Sequence, residues 1–373
     1  MNLAPLALNG RFSGTAQPTG TQTVAFHLYD AIIRAERERP VIVFADPRFQ
    51  GVEKWARLPK TTLITVPFQD WSRHRAQFWE QFAFPLLAHR HGCVLGHHPI
   101  TTCPSWQAGV KTVVTLHDLN FYLHPEWFSQ SFRLVFRFFA LPGIRRAQSV
   151  VTISDYVHGQ IVEHLRLPPS RVRRIYNGVK FRPDAANPDE SATPRPPYIL
   201  CVGSLQPHKN LPRLIRAYLQ LRTEQPDLEL WVVGRPQANF SKLPELARLL
   251  QSPGIKLLGY LSESDLAAAY RHARVFCFPS LDEGFGLPLL EAMQTGTLVV
   301  TSQASCLPEI GGAACEYIDP LSETSLAQGL RRMLLLSNEE RRERIEQGRV
   351  WANSFSWRRT AHEYLDLFEE LLK

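Results

Sequence analysis

The 373-residue sequence predicts an α/β protein of two doubly wound, parallel-sheet, Rossmann-like domains that face a central cleft. Three observations carry that prediction. The chain is too long for one ordinary core and fits two domains of roughly 150–200 residues. Short apolar runs alternate with polar helical stretches in two separate series, as in βαβ units. Between the series, Phe181 to Pro197 holds five prolines among Asn, Asp, Ser and Thr. Proline lacks the N–H that a helix or central strand needs, so this stretch reads as a linker.

The elements follow in order. Leu3–Leu8, Val41–Ala45, Leu63–Val66, Cys93–Gly96, Thr112–Leu116 and Ser149–Ile153 are apolar runs of strand length, each followed by a turn or a helical pattern. Met1 to Leu8 lacks a basic start and is interrupted by Pro5, so it predicts a buried first strand and not a signal peptide. The second series is Tyr198–Gly203, Leu228–Gly234, Ile255–Leu258, Val275–Pro279 and Thr297–Thr301, with helices between, such as Leu211–Thr223 and Ser262–Ala273. Trp357–Leu372 is an amphipathic helix with Tyr364, Leu365, Leu367, Phe368, Leu371 and Leu372 on one side. The expected division is residues 1–182, a linker over 183–197, a second domain over 198–354, and a helix over 355–373 packing back toward the first domain.

Composition narrows the function classes. Hydrophobic residues make up 44% and charged residues 21%, which is globular. No apolar run approaches the roughly 20 residues of a membrane span. Cys93, Cys103, Cys201, Cys277, Cys306 and Cys315 show no CxxC or metal-type spacing and read as reduced thiols, which predicts a cytoplasmic location. The net charge of +7 is uneven. Residues 1–190 carry 22 Lys+Arg against 14 Asp+Glu, and the remainder 20 against 21. The basic excess of the first half suits an anionic partner: a phospholipid surface, a pyrophosphate-linked substrate or nucleic acid. The alternative is a solvated basic face with no partner.

The strongest chemical signal is FCFPSLDEGFGLPLLEAMQTG, Phe276 to Gly296. An apolar strand ends at Pro279, a short polar loop follows, and Gly284-Phe285-Gly286-Leu287 leads into a helix with Pro288 in its first turn. Glycines before a helix start let backbone N–H groups approach an anion, and the helix field favours negative charge there. Glu283 stands just before this cradle and Glu291 one turn inside. Carboxylates accept hydrogen bonds from vicinal hydroxyls, so the pair suits a sugar on one side of a diphosphate and a ribose on the other. Each Glu alone reads as a helix-terminal charge; the pair around GFGLP does not.

This segment resembles the Glu-x7-Glu signature of the family 4 retaining glycosyltransferases. The resemblance extends over nearly the whole chain. YILCVGSLQPHKNL (Tyr198–Leu211) resembles the first strand of that family's C-terminal domain and its phosphate-binding lysine. Thr297–Pro320 resembles the next strand and the LPEI turn, and Leu116-His117-Asp118-Leu119 a histidine site at a strand end. TISDYVHGQIVEHL and RVRRIYNGV (Thr152–Val179) resemble the last unit of the first domain. NGRFSGTAQPTGTQTVAFHL resembles the glycine loop after strand one, with Gly20 in the close-approach position. Residues 46–92 carry little of it.

The resemblance implies a GT-B fold and a hexose transfer with retention. It implies that Glu283 contacts the donor hexose near its reacting carbon and that Glu291 binds the ribose. Lys209 then neutralises the leaving diphosphate, and the amides of Phe285 to Leu287 bind the distal phosphate. His117 lies near the sugar's hydroxymethyl and the acceptor; Asp118, read from its place beside it, orients the loop or the imidazole. Gly259-Tyr260-Leu261 lies near the nucleobase, although Ser262 as an ordinary helix cap explains that turn as well. One departure is that Ser204 stands where many relatives have a second diphosphate-binding arginine; His208 or Arg235 is the expected substitute. No DxD-like pair and no metal-spaced cluster appears, so no metal or other cofactor is expected. The donor expected first is GDP-mannose, because LQPHKN resembles mannosyltransferases of the family, with a UDP-sugar next. The acceptor expected is a saccharide or a polyprenyl-diphosphate-linked sugar in polysaccharide biosynthesis.

Trp127–Arg146 combines six Phe or Trp with Arg133, Arg137, Arg145 and Arg146. It reads either as a helix lying on an anionic bilayer, making the protein peripheral to the inner face of the membrane, or as a helix buried on the sheet with a basic outer face. Other readings stay open: an epimerase or phosphorylase on the same fold, a non-catalytic nucleotide-sugar-binding subunit, or a nucleic-acid-binding protein. The last lacks a helix-turn-helix, RRM or zinc pattern.

Overall fold

A computed structural model describes residues 3–16, 18, 20–49, 51–125, 130–179, 196–234 and 244–373. The expected linker is thus outside the described residues but for its last two, and Arg235 falls outside them as well. The chain forms two compact units, Met1–Gly178 with Ser356–Lys373, and Val179–Phe355.

The first unit is built on a seven-stranded sheet: β1 (Leu6–Gly10), β2 (Val41–Ala45), β3 (Thr61–Thr65), β4 (Leu95–His98), β5 (Lys111–Leu116), β6 (Ser149–Thr152) and β7 (Val172–Arg174). Its order is β3-β2-β1-β4-β5-β6-β7, with every pair parallel. The second unit holds β8 (Tyr198–Val202), β9 (Glu229–Val233), β10 (Ile255–Gly259), β11 (Val275–Phe278), β12 (Val299–Ser302) and β13 (Glu316–Ile318), in the order β10-β9-β8-β11-β12-β13, again all parallel. Two parallel doubly wound sheets are what the alternating pattern predicts. The central strands are buried along their length because helices cover both faces, so they read as continuous apolar runs.

The sequence reading lacks β7 and β13. Both are three-residue edge strands, Val-Arg-Arg and Glu-Tyr-Ile, too short and too polar to show a period. It also starts β4 two residues early. Cys93 and Val94 form the approach to the strand, and the strand itself ends in His97 and His98, both fully buried.

The terminal helix Trp357–Leu372 belongs to the first unit. It packs on the helix Gly20–Ala35, with the Trp357 ring 5.8 Å from that of His27. Tyr364 and Thr115 share a hydrogen bond of 2.7 Å, and Arg39 pairs with Glu369. All six cysteines are buried and free.

Two helical segments of the first unit contain a π turn, Trp79–Ala83 and Phe136–Ala140. Each is followed within two residues by a proline, Pro85 and Pro142. A proline has no N–H for the i−4 carbonyl, and a wider turn absorbs the mismatch.

Candidate functional site

In an open parallel sheet, ligands bind beyond the carboxyl ends of the strands where the strand order reverses. In the second unit that point lies between β8 and β11. The chain leaves β8 at Gly203 and β11 at Pro279, and the residues predicted for the diphosphate gather there.

Lys209 closes a short 3-10 turn, Pro207–Lys209. Its Nζ donates to Glu283 Oε1 at 2.5 Å, and the two side chains are only 16% and 14% exposed. The ammonium also sits 5.0 Å from the centroid of the Phe278 ring, a cation–π position. Asn210 locks the turn. It takes the left-handed conformation at φ 58°, which Asn tolerates better than most residues, and donates from Nδ2 to the Pro279 carbonyl at 3.0 Å and the Pro320 carbonyl at 2.7 Å. The Leu281 amide donates to the His208 carbonyl at 2.7 Å. The lysine turn and the β11 loop are therefore one hydrogen-bonded body. Gly203 lies under Lys209: its φ is +155°, and a Cβ there would stand at van der Waals distance, 3.4 Å, from Lys209 Cδ and Cε.

The glycine cradle has the predicted form. Gly286 is the N-cap, in the left-handed conformation at φ 85°, and the helix runs Leu287–Thr295 with a proline in its first turn. The first amides of a helix have no partner within it, so this end offers N–H donors to an anion. Phe285 is buried, its ring packed edge-on against Phe355 at 6.0 Å, which fixes the path of the backbone through Gly284 and Gly286. The Glu283 amide donates to Ser305 Oγ at 3.2 Å.

Glu291 lies one turn into the helix and accepts a hydrogen bond from the Tyr270 hydroxyl at 3.1 Å. Burial pushes its carboxyl up to about 7; the Tyr270 hydrogen bond opposes the shift and nearby Glu263 adds to it. Ser204 follows Gly203 at the same strand end, and Tyr260 is 61% exposed beyond β10. Leu261 precedes Ser262, whose hydroxyl caps the next helix by accepting from the Asp265 amide at 3.1 Å. Asn210, Ser305 and Tyr270 are the parts that sequence reasoning missed. Only Asn210 left a signal, as the residue suited to a left-handed turn beside the lysine.

In the first unit, His117 follows β5 and is 8% exposed. Its Nε2 is 2.7 Å from the Pro99 carbonyl. Burial lowers its pKa despite that hydrogen bond, so the ring is neutral, with its proton on Nε2 facing the carbonyl and Nδ1 left as an acceptor. Asp118 Oδ1 accepts from the Asn120 amide at 3.0 Å, a loop-orienting role. Gly20 is the first residue of its helix, and a Cβ there would meet nothing within 4 Å. Protein packing therefore does not require glycine at this position. Among the described residues, no group of three or more His, Cys, Asp or Glu is placed to hold a metal ion.

A family model described as Glycosyltransferase Family 4 matches residues 18–183, and one described as Glycosyl transferases group 1 matches residues 184–351. The serotype-specific mannosyltransferase WbdA of Escherichia coli is 31% identical over 288 residues, covering 70% of this chain and 34% of WbdA. The chain thus spans about a third of that relative's length. O-antigen chain mannosyltransferase B of Escherichia coli is 26% identical, with 70% and 71% of the two chains covered. Among solved structures, sucrose-phosphate synthase from Thermosynechococcus elongatus superposes with a TM-score of 0.78 at 20% identity over 99% of both chains. HepE from Anabaena, in complex with UDP and glucose, does so with 0.71 at 18% identity over 99% and 100%. Likeness at that identity speaks to the fold. The two family models, which together run from residue 18 to 351, place the chain in the group 1, family 4 glycosyltransferases, and its fold is GT-B.

Proposed function

We propose that this chain transfers a hexose, mannose first and a UDP-linked sugar next, from a nucleoside diphosphate sugar to a saccharide or polyprenyl-diphosphate-linked acceptor, with retention at the reacting carbon. The observation that carries the reading is the Lys209–Glu283 pair set beside the Gly286 helix start at the switch point of the second sheet. In the reaction the acceptor oxygen forms a bond to the sugar's C1, and the bond from C1 to the phosphate oxygen breaks. The nucleoside diphosphate leaves with the electron pair. The acceptor proton passes to a phosphate oxygen on the same face. Lys209 and the helix amides meet the charge that grows on the diphosphate, the task a metal ion performs elsewhere, so the reaction is proposed to run without a metal. The mannosyltransferase names of the relatives support mannose.

The test is a thermal-shift panel of GDP, UDP, ADP and dTDP, with and without Mg²⁺, on wild type and Lys209→Ala. A ligand at a hundredfold excess over Kd stabilises by about 2.7 kcal/mol. The expected result is a shift with one nucleotide, independent of metal and lost in the variant. A shift in Lys209→Ala equal to that of wild type rejects the site.

Glu291 makes the binding pH-dependent. A carboxylate accepts ribose hydroxyls better when ionised, and its pKa is about 7, so nucleotide affinity is expected to rise between pH 6 and 8. The same raised pKa gives the opposite sign for folding: the group's contribution to stability is complete below the unfolded value of 4.5 and is lost as pH rises through about 7. Glu291→Gln should flatten both profiles; an unchanged affinity profile in that variant removes Glu291 from the binding site.

We also propose a peripheral position at the inner face of the membrane, with the chain cytoplasmic. No helix among the described residues is long and apolar enough to cross a membrane. Support comes from two helical segments of the first unit. Phe78, Phe82 and Leu86 are 65%, 47% and 37% exposed at helical spacing, and Leu134, Phe138 and Phe139 are exposed on the other segment. Both pack against one loop: Gln81 Nε2 donates to the Cys103 carbonyl, and Gly143 abuts the same carbonyl. That loop carries Trp106, 52% exposed. Arg75, Arg90, Arg133, Arg137, Arg145 and Arg146 are exposed on the same two segments, whose one acidic residue, Glu80, is buried. Aromatic residues ringed by arginine suit an anionic bilayer. The chain should pellet with anionic liposomes at low salt and be released at high salt, and Phe78→Ser/Phe138→Ser should stay in the supernatant. Equal binding to neutral liposomes argues against the assignment.

A further inference from the structure

The sheet of the first unit has its own switch point, between β1 and β4. An ion-paired cluster that the donor site does not use lies there. Asn9 and Gly10 end β1, His98 ends β4, and Arg11 begins the turn after β1. At the centre is Glu80, fully buried, with both carboxylate oxygens engaged. Asn9 Nδ2 donates to Oε1 at 2.7 Å and lies 2.9 Å from His98 Nδ1, which is itself 3.3 Å from Oε1. The Thr102 hydroxyl donates to Oε2 at 2.7 Å, and Arg11 Nε lies 3.3 Å from that oxygen. Arg11 Nη2 donates to Thr102 Oγ1 at 2.6 Å. Burial alone would raise the Glu80 pKa; Arg11, His98 and Thr102 outweigh it and lower the value, so the carboxylate is charged.

A charge taken out of water at this depth is costly and contributes little net stability, so its effect lies in what it holds in place. Glu80 Oε2 holds Nε of the Arg11 guanidinium, and the Thr102 hydroxyl that it anchors accepts one Nη2 hydrogen, so the inner edge of the guanidinium is fixed. A guanidinium is planar, with its donors in a rigid fork, so fixing one edge aims the other. Among the described residues Nη1 has no hydrogen-bond partner, and the Arg11 side chain is 22% exposed. The outer edge therefore presents paired N–H donors at the carboxyl ends of the strands, where a doubly wound sheet binds its ligand.

We propose that Arg11 binds two neighbouring hydroxyl oxygens of a neutral saccharide acceptor, with Glu80 and Thr102 as positioning residues. This rests on the glycosyl-transfer reading. Glu80 cancels the guanidinium charge at contact distance, so the fork offers geometry without net charge. That favours a diol over a phosphate. His117, which follows β5 beside β4, stands at the same carboxyl end of the sheet.

The test uses the full chain and methyl α-D-mannopyranoside as the probe, titrated by NMR in the presence of GDP. Arg11→Lys keeps a cation for Glu80 and loses the fork. Arg11→Met/Glu80→Gln removes both charges, so that neither is left buried alone. Both should bind the probe roughly 10- to 100-fold more weakly, the scale of losing hydrogen bonds from a charged donor. In transfer assays with Arg11→Lys, the acceptor KM should rise while kcat and the donor KM hold, a split that a general structural defect would not produce. Wild-type affinity in Arg11→Lys overturns the proposal. So does wild type that responds to GDP but does not bind the mannoside, or inorganic phosphate displacing the mannoside at equal concentration. If probe binding is lost in Arg11→Lys while no nucleotide shifts the melting of wild type, the Arg11 assignment stands and the donor reading fails.

Discussion

Lys209→Ala and Glu283→Ala each lower kcat by at least ~100-fold, the scale of losing one preorganised contact to charge that develops in a transition state. The two variants separate in binding. Lys209 is the cation proposed to meet the diphosphate, so its loss is expected to remove both turnover and the nucleotide-induced thermal shift. Glu283 neutralises that lysine through a 2.5 Å hydrogen bond. A diphosphate must therefore compete with Glu283 for the ammonium. Glu283→Ala releases the lysine, and nucleotide affinity should be equal to or higher than that of wild type while kcat falls. Single-turnover rates and thermal shifts on both variants check the pair of expectations. Near-normal turnover in both would reject the site, and parallel loss of nucleotide binding in both would reject the competition between carboxylate and diphosphate.

Gly234→Ala should cost roughly 3 kcal/mol or more, combining an unfavourable backbone conformation with overpacking. Gly234 follows β9 at φ +152°, and a Cβ there would stand 1.8 Å from the Gly203 carbonyl oxygen, which is backbone and cannot swing aside. Gly203 is the platform under Lys209, so the strain falls directly on the lysine turn. For a unit of this size, a fall in Tm of about 6–12 °C is expected, with a weakened nucleotide response. A melting temperature within a degree of wild type would show that β8 and β9 separate freely at their ends. It would also remove the argument that the glycine pair holds the lysine in place.

Much of the fold was legible because it rests on local pattern. Eleven apolar runs were read as strands, and all eleven contain or overlap strands of the two sheets; the exceptions were the edge strands β7 and β13, whose pairing surface is one-sided and whose sequence carries no period. The cradle was legible for the same reason: Gly284, Gly286 and Pro288 act through their own backbone geometry, so neighbours in sequence suffice to describe it. His117 was less legible. Its position at a strand end is a local property, but its bond to the Pro99 carbonyl and the resulting tautomer depend on a loop that reaches it from another strand. The stretch Trp127–Arg146, whose first three residues lie outside the described ones, is legible by its aromatics and arginines, whereas the exposed Phe78, Phe82 and Leu86 are not, because helical spacing of apolar residues is the same whether tertiary packing turns them to the core or to solvent.

By itself the sequence determined the two parallel sheets, the glycine-lined helix start, the Glu283–Glu291 spacing and the family to which the chain belongs. The tertiary structure alone decided which distant side chains meet. Lys209 finds Glu283 across 74 residues, and Asn9 finds His98 across 89. The physical reason is strand order. A parallel sheet places the ends of β8 and β11, or of β1 and β4, side by side, although other strands and helices separate them along the chain. Which ends become neighbours is set by how the whole sheet buries its faces, not by any pattern within one strand.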